Sequence, residues 1–168
     1  MDALTRLGPL FAYPDDRYAA HIRAAGADHP AIARFAARTE ALGTAILQEQ
    51  FTATFDLNPA AALEIGWHLF GEQYERGPFL VMLRERLRAA DISEAGDLPD
   101  HLRHVLPLVG LMAGDARAAF ATRYLTPALD KIGAAVPDDN PFADLVRAAR
   151  ELTAQAARAA DASGAGHD

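Results

Sequence analysis

The chain has 168 residues, no cysteine and a formal net charge of −7, with 23 Asp and Glu against 16 Lys and Arg. The missing thiols exclude disulfides, thiolate catalysis and cysteine-ligated zinc or iron–sulfur centres, and the negative balance argues against general binding to a nucleic-acid backbone. Hydrophobic residues make up 51%, yet mean hydropathy is −0.03 and no apolar run approaches the ~20 residues that span a bilayer. The opening residues carry neither a basic start nor a small-residue cleavage site after an apolar core, so the expectation is one cytoplasmic domain able to bury about 70% of its unfolded surface.

Taken in order, Leu4, Leu7, Leu10 and Phe11 fall at helical spacing, interrupted by Gly8-Pro9. Pro14 precedes a helix running from Asp16 to about Ala25 and stopped by Gly26. Asp28-His29-Pro30 is the next start signal, and Ile32, Phe35, Thr39, Leu42, Ile46, Leu47, Phe51 and Phe55 predict one long helix to Phe55 with Gly43 as its weak point. Asn58-Pro59 opens a helix in which Leu63, Trp67 and Phe70 share a face.

Residues 71 to 77 read as a polar connector, and Pro78 begins a helix carrying Phe79, Leu80, Leu83 and Leu87. Arg84, Arg86 and Arg88 on that helix read as a solvated face. Gly114-Asp115 restarts a helix with Phe120, Tyr124, Ala128 and Ile132 inward and a kink at Pro127; Asn140-Pro141 caps the last one. The small, polar residues 162 to 168 read as a mobile tail after a domain of 1 to 161. Sustained alternation of β-branched residues is missing, so the predicted fold class is all-α: a single irregular bundle of about seven or eight helices.

The stretch DLPDHLRHVLPL, Asp97 to Leu108, concentrates polar chemistry on a helical frame. Helical periodicity puts Leu98, Leu102, Val105, Leu106, Val109 and Met112 on a packing stripe and leaves Asp100, Arg103, His104 and Pro107 on an available face. Asp97 is the expected N-cap, with Pro99 in the first turn. The spacing pairs Asp97 with His101 and Asp100 with His104. Three readings of these groups stand together: carboxylates steadying histidines on a well-made helix, a metal site on His101 and His104, or a surface that recognises a partner.

Enzyme signatures are scarce. There is no glycine-rich dinucleotide fingerprint, no phosphate loop before Lys131 and no HExxH, and the only serines, Ser93 and Ser163, sit in polar sequence. An Asp100/His101 acid–base site is the form catalysis would take. A helical peptide-binding adaptor is the other reading, with aromatic anchors lining a groove and acidic side chains suiting a basic peptide.

Four segments, in order, resemble the NarJ/TorD/DmsD family of maturation chaperones for molybdenum redox enzymes, and particularly its NarJ branch. They are LFAYPDD (Leu10 to Asp16), LQEQFTATFDLN (Leu47 to Asn58), GEQYERGPFLVMLRERLRAA (Gly71 to Ala90) and LPDHL followed by an apolar helix. The resemblance implies an all-helical, non-catalytic cytoplasmic chaperone without a cofactor of its own. Its partner would be the catalytic subunit of a molybdopterin oxidoreductase, bound often through that subunit's N-terminal peptide and held for cofactor insertion and assembly or export. Carried across by position, Pro99, Asp100 and His101 would recognise the client, with Glu72, Arg76 and Gly77 secondary and Tyr13 and Trp67 further contributors. If these residues act only at the surface, Asp100→Ala with His101→Ala should leave the melting temperature nearly unchanged. Arg103 after LPDHL, Leu106-Pro107-Leu108 and Phe70 depart from the branch's pattern, leaving the client open between nitrate reductase and related molybdenum dehydrogenases or oxyanion reductases.

Overall fold

Local signals set most of the helix ends. The computed structural model describes residues 1–26 and 28–164. Asp2 caps α1 (Ala3–Leu7) by accepting from the Leu4 N–H, and Gly8-Pro9 converts the continuation into a 3-10 turn. Next come α2 (Tyr18–Ala25), ended by Gly26 at φ 88°, and α3 (Pro30–Thr39), capped by the His29 imidazole. They are followed by α4 (Thr44–Phe51), which runs on through a π-turn to Asp56, and by α5 (Ile65–Phe70) and α6 (Arg76–Ala89).

The second half holds α7 (Leu102–Leu111), α8 (Gly114–Phe120), α9 (Thr126–Ala135) and α10 (Phe142–Gly164). The run 114–135 is continuous, with a π-turn at Ala121–Leu125 just ahead of Pro127, whose missing N–H and ring disturb the helical ladder there. Counted as one, it makes nine helices among the described residues, with no strand, so the all-α class holds.

The structure corrects several expected bounds. The long helix ending at Phe55 is broken at 40–43, and Gly43 becomes the extended N-cap of α4 rather than a weak link within a helix. Of the neighbours Ile46 and Leu47, both in the expected stripe, Leu47 is buried and Ile46 exposed. Asn58-Pro59 opens only a 3-10 turn, and α6 starts at Arg76 rather than Pro78. The last helix continues to Gly164, into the expected tail, while 165–168 lie outside the described residues.

A single apolar core runs through the molecule. Its aromatic centre is Phe142 at the start of α10, whose ring lies 5.4 to 5.7 Å from those of Phe35, Phe51 and Phe55. Asp144, two residues on, is buried and accepts from Arg34 and Arg38 of α3 and from Arg147, tying α3 to α10. On the other flank α1 packs on α7. A Cβ on Gly8, in the 3-10 turn after α1, would stand 2.5 Å from the Pro107 ring, and one on Gly110 of α7 would collide with Thr5 of α1, so the two segments approach closely at a glycine on each side. Because Phe142 is fully buried among three other rings, Phe142→Ala should cost about 3–5 kcal/mol, read as a shift of the denaturant midpoint without loss of a cooperative transition.

Candidate functional site

The Asp97–Leu108 stretch does not form the helix its periodicity predicts. α7 begins only at Leu102, and its N-cap is His101, whose Nδ1 accepts the Arg103 N–H at 3.1 Å. Tertiary hydrogen bonds displace the first helical turn. The Asp100 carbonyl accepts the Ile65 N–H, and the Leu102 N–H donates to the Leu63 carbonyl, making an isolated antiparallel bridge between Glu64 and His101. Asp97, expected to cap, pairs with Arg103 at 2.9 Å.

Asp100 sits at the centre of this junction with no exposed surface. Its Oδ2 accepts the Gly66 N–H at 2.9 Å, in the first turn of α5, and lies 3.6 Å from the guanidinium of Arg76, the first residue of α6. A carboxylate 34 residues away thus caps α5. A Cβ on Gly66 would stand 2.5 Å from that oxygen, so only glycine admits the carboxylate. Burial pushes the Asp100 carboxyl above its ordinary 3.8, opposed by Arg76 and the Gly66 N–H. Glu64 is raised too, chiefly by burial and further by Asp100 and Asp97.

His104 is also inside. It donates from Nδ1 to the Leu98 carbonyl at 2.9 Å and accepts at Nε2 from the Ala95 N–H at 3.3 Å, a pattern only the neutral ring can make. The expected available face of Asp100 and His104 is therefore a buried one. His101 is almost as enclosed, and burial, opposed by Asp97 and aided by His104 and Arg103, pushes its pKa down to about 4. The expected carboxylate–histidine pairs do not form: Asp97 and Asp100 engage arginines and the Gly66 amide instead. With Nδ1 of both histidines committed to the backbone, no group of three potential ligands arises among the described residues.

The sequence-predicted residues divide into two groups. Pro99, Asp100, His101 and Arg76 meet at the junction, and Trp67 lies on α5 beside Gly66, half-buried, donating from its ring N–H to the Pro59 carbonyl. Glu72 is exposed on the turn between α5 and α6, and Gly77 is exposed in the first turn of α6. Tyr13 is elsewhere: 53% exposed and edge-on to Phe51, it lines an open cleft of about 450 Å³ with Pro9 and Ala12 on one side and Arg103, His104 and Pro107 of α7 on the other. Arg103 and Pro107, expected on the available face, do line an open cleft, whereas Gly66 as the seat of Asp100 is not readable from the sequence. Nothing local signals a contact between residues 34 apart.

Compared with known proteins, this chain matches no protein-family model and no curated protein.

Removing the junction's acceptor should unseat three helix starts. Asp100→Ala is expected to cost about 2 kcal/mol, the scale of a charged buried hydrogen bond, with Asp100→Asn milder because an amide oxygen still accepts from Gly66; equal denaturant midpoints for wild type and Asp100→Ala would refute the capping role. This replaces the expectation of an unchanged melting temperature.

The pH dependence follows from His101. Its pKa falls from 6.5 unfolded to about 4 folded, so below 6.5 the unfolded chain takes a proton that the folded chain refuses. Stability present above pH 6.5 is lost progressively as the pH falls to about 4. The raised Asp100 carboxyl acts oppositely, its contribution present below 3.8 and lost as the pH rises through its folded pKa. In His101→Asn, which keeps a capping oxygen without the titration, the loss of melting temperature between pH 6.5 and 4 should be smaller than in wild type.

Proposed function

We propose that this chain is a dedicated chaperone of the NarJ/TorD/DmsD type. It binds the apo catalytic subunit of a molybdopterin oxidoreductase in the cytoplasm, through that subunit's N-terminal peptide, and holds it for cofactor insertion and assembly or export without catalysing a reaction. The client is nitrate reductase or a related molybdenum dehydrogenase or oxyanion reductase. One observation carries the reading. The LFAYPDD stretch, through Ala12, Tyr13 and Asp15, faces the helix that follows LPDHL across one open cleft, whose other wall is Arg103, His104 and Pro107; Arg103 and Pro107 are positions where this chain departs from the branch's pattern.

A cleft of that size with an exposed aromatic lip suits an extended or helical peptide that buries apolar side chains and finds polar partners at the rim. Tyr13 supplies a rigid anchor with a hydroxyl at its tip. Arg103 is held by Asp97 at 2.9 Å and so enters the cleft wall in a defined position. In this reading Pro99, Asp100 and Arg76 position the wall rather than touch the client, since Asp100 is wholly enclosed and its carboxylate points at α5. Trp67, Glu72 and Gly77 lie off the cleft lining and would extend the surface around the junction. The acid–base alternative is less well supported, because the Asp100 carboxylate is engaged by Gly66 and Arg76 instead of facing an accessible cavity.

Affinity capture of the tagged protein from its own cells under anaerobic respiration, followed by mass spectrometry, should recover a molybdopterin oxidoreductase catalytic subunit. Tyr13→Ala should reduce that recovery while leaving the melting temperature within a few degrees of wild type. Failure to recover any such subunit, with its expression confirmed, would remove the chaperone reading.

A further inference from the structure

The opposite side of α7 carries a second open groove of about 520 Å³ that shares no lining residue with the Tyr13 cleft. Its floor is small and apolar, built from Ala89 of α6, Leu108 of α7, Met112 just past the end of α7, and Ala116 and Ala119 of α8. Alanines on two flanking helices leave room for a third helix to approach closely. The rim has the opposite character. Arg86 lies over the Phe120 ring, its guanidinium carbon 5.6 Å from the ring centre, and Arg123 lies over Tyr124 at 5.0 Å. The two rings themselves pack at 5.0 Å, so the cations flank one aromatic pair.

Stacking orders a guanidinium by its face and leaves the in-plane N–H groups to other acceptors. Neither Arg86 nor Arg123 has an ion-pair partner among the described residues, whereas most other arginines do. On a chain of net charge −7, two exposed, unpaired and ring-stacked cations beside an apolar floor form a local site of inverted charge. Planar forks of this kind match carboxylates.

We propose that this groove docks an acidic amphipathic helix of a partner protein, with its apolar face on the alanine floor and its carboxylates on Arg86 and Arg123. Charge selects this occupant. A second copy related by a twofold axis through the groove would set arginine against arginine, and a basic helix would meet the same repulsion.

The test uses the full chain and a fluorescein-labelled, alanine-based peptide of ~18 residues, about five helical turns, with leucines at i, i+3, i+4 and i+7 and glutamates beside them. A control peptide carries lysine in place of each glutamate. The acidic peptide should bind saturably in fluorescence anisotropy, more weakly as salt is raised, and the lysine peptide should not. Arg86→Glu with Arg123→Glu should weaken binding by about tenfold or more. Ala119→Trp, which fills the floor without altering charge, should do the same. All three positions are exposed, so circular dichroism and melting temperature should stay near wild type; if the double charge reversal unfolds, Arg86→Ala with Arg123→Ala replaces it. No saturable binding of the acidic peptide, equal binding of the two peptides, or wild-type affinity in the charge variant or the filled variant would each overturn the proposal. Self-association of the wild type that the charge variant abolishes would overturn it in favour of a second copy.

Discussion

A buried carboxylate tolerates few geometries, and Asp100 imposes its geometry on three helices at once. Its desolvation is offset only if the Gly66 N–H and the Arg76 guanidinium are both in place, which fixes where α5 and α6 begin relative to the connector. The two backbone hydrogen bonds between 63–65 and 100–102 then hold the chain extended until Leu102, where His101 can cap α7. The position of α7 follows from that junction. α7 packs against α1 and the turn after it, Gly110 against Thr5 and Pro107 against Gly8, and provides one wall of the Tyr13 cleft and one wall of the groove beside Phe120.

The arginines show how charge is distributed around this frame. Arg34, Arg38 and Arg147 converge on buried Asp144 and cross-link α3 with α10, Arg76 serves the junction, and Arg103 is held by Asp97. These cations are internal to the fold's own electrostatics. Arg86 and Arg123 differ because aromatic faces, not carboxylates, hold them. Pro107 and Leu108 are neighbours in sequence but face the cleft and the groove respectively, so α7 separates an edge rimmed by Tyr13 and Arg103 from one rimmed by stacked arginines. Two surfaces of different chemistry thus share one helix.

Much of the helical order was legible in the sequence because its causes are local. The stop of α2 at Gly26, the opening of α10 after Asn140-Pro141, where the Asn140 side chain accepts the Phe142 N–H, and the disturbance before Pro127 all arise within a few residues of the signal. The helix break at 40–43 was less legible, since the apolar spacing from Ile32 to Phe55 is nearly as compatible with two helices as with one, and only packing shows that Leu47 rather than Ile46 turns inward. The Arg84–Arg86–Arg88 run was read as a solvated face, which describes exposure correctly but says nothing of the ring beneath Arg86.

By itself, the sequence determined the class of the fold, the order of most helices, the absence of thiol chemistry and the clustering of Asp100, His101 and His104 on one short segment. All of these depend on composition or on interactions within one or two turns. Only the tertiary structure decided which way that segment faces. Helical periodicity assigns a residue to a face but cannot register a competing bond to another part of the chain, and here the amide of Gly66, 34 residues away, outweighs the local tendency to begin a helix at Leu98. Asp100 and His104, expected at the surface, became the junction of the bundle, while Tyr13, Arg103 and Pro107 line the cleft at its edge.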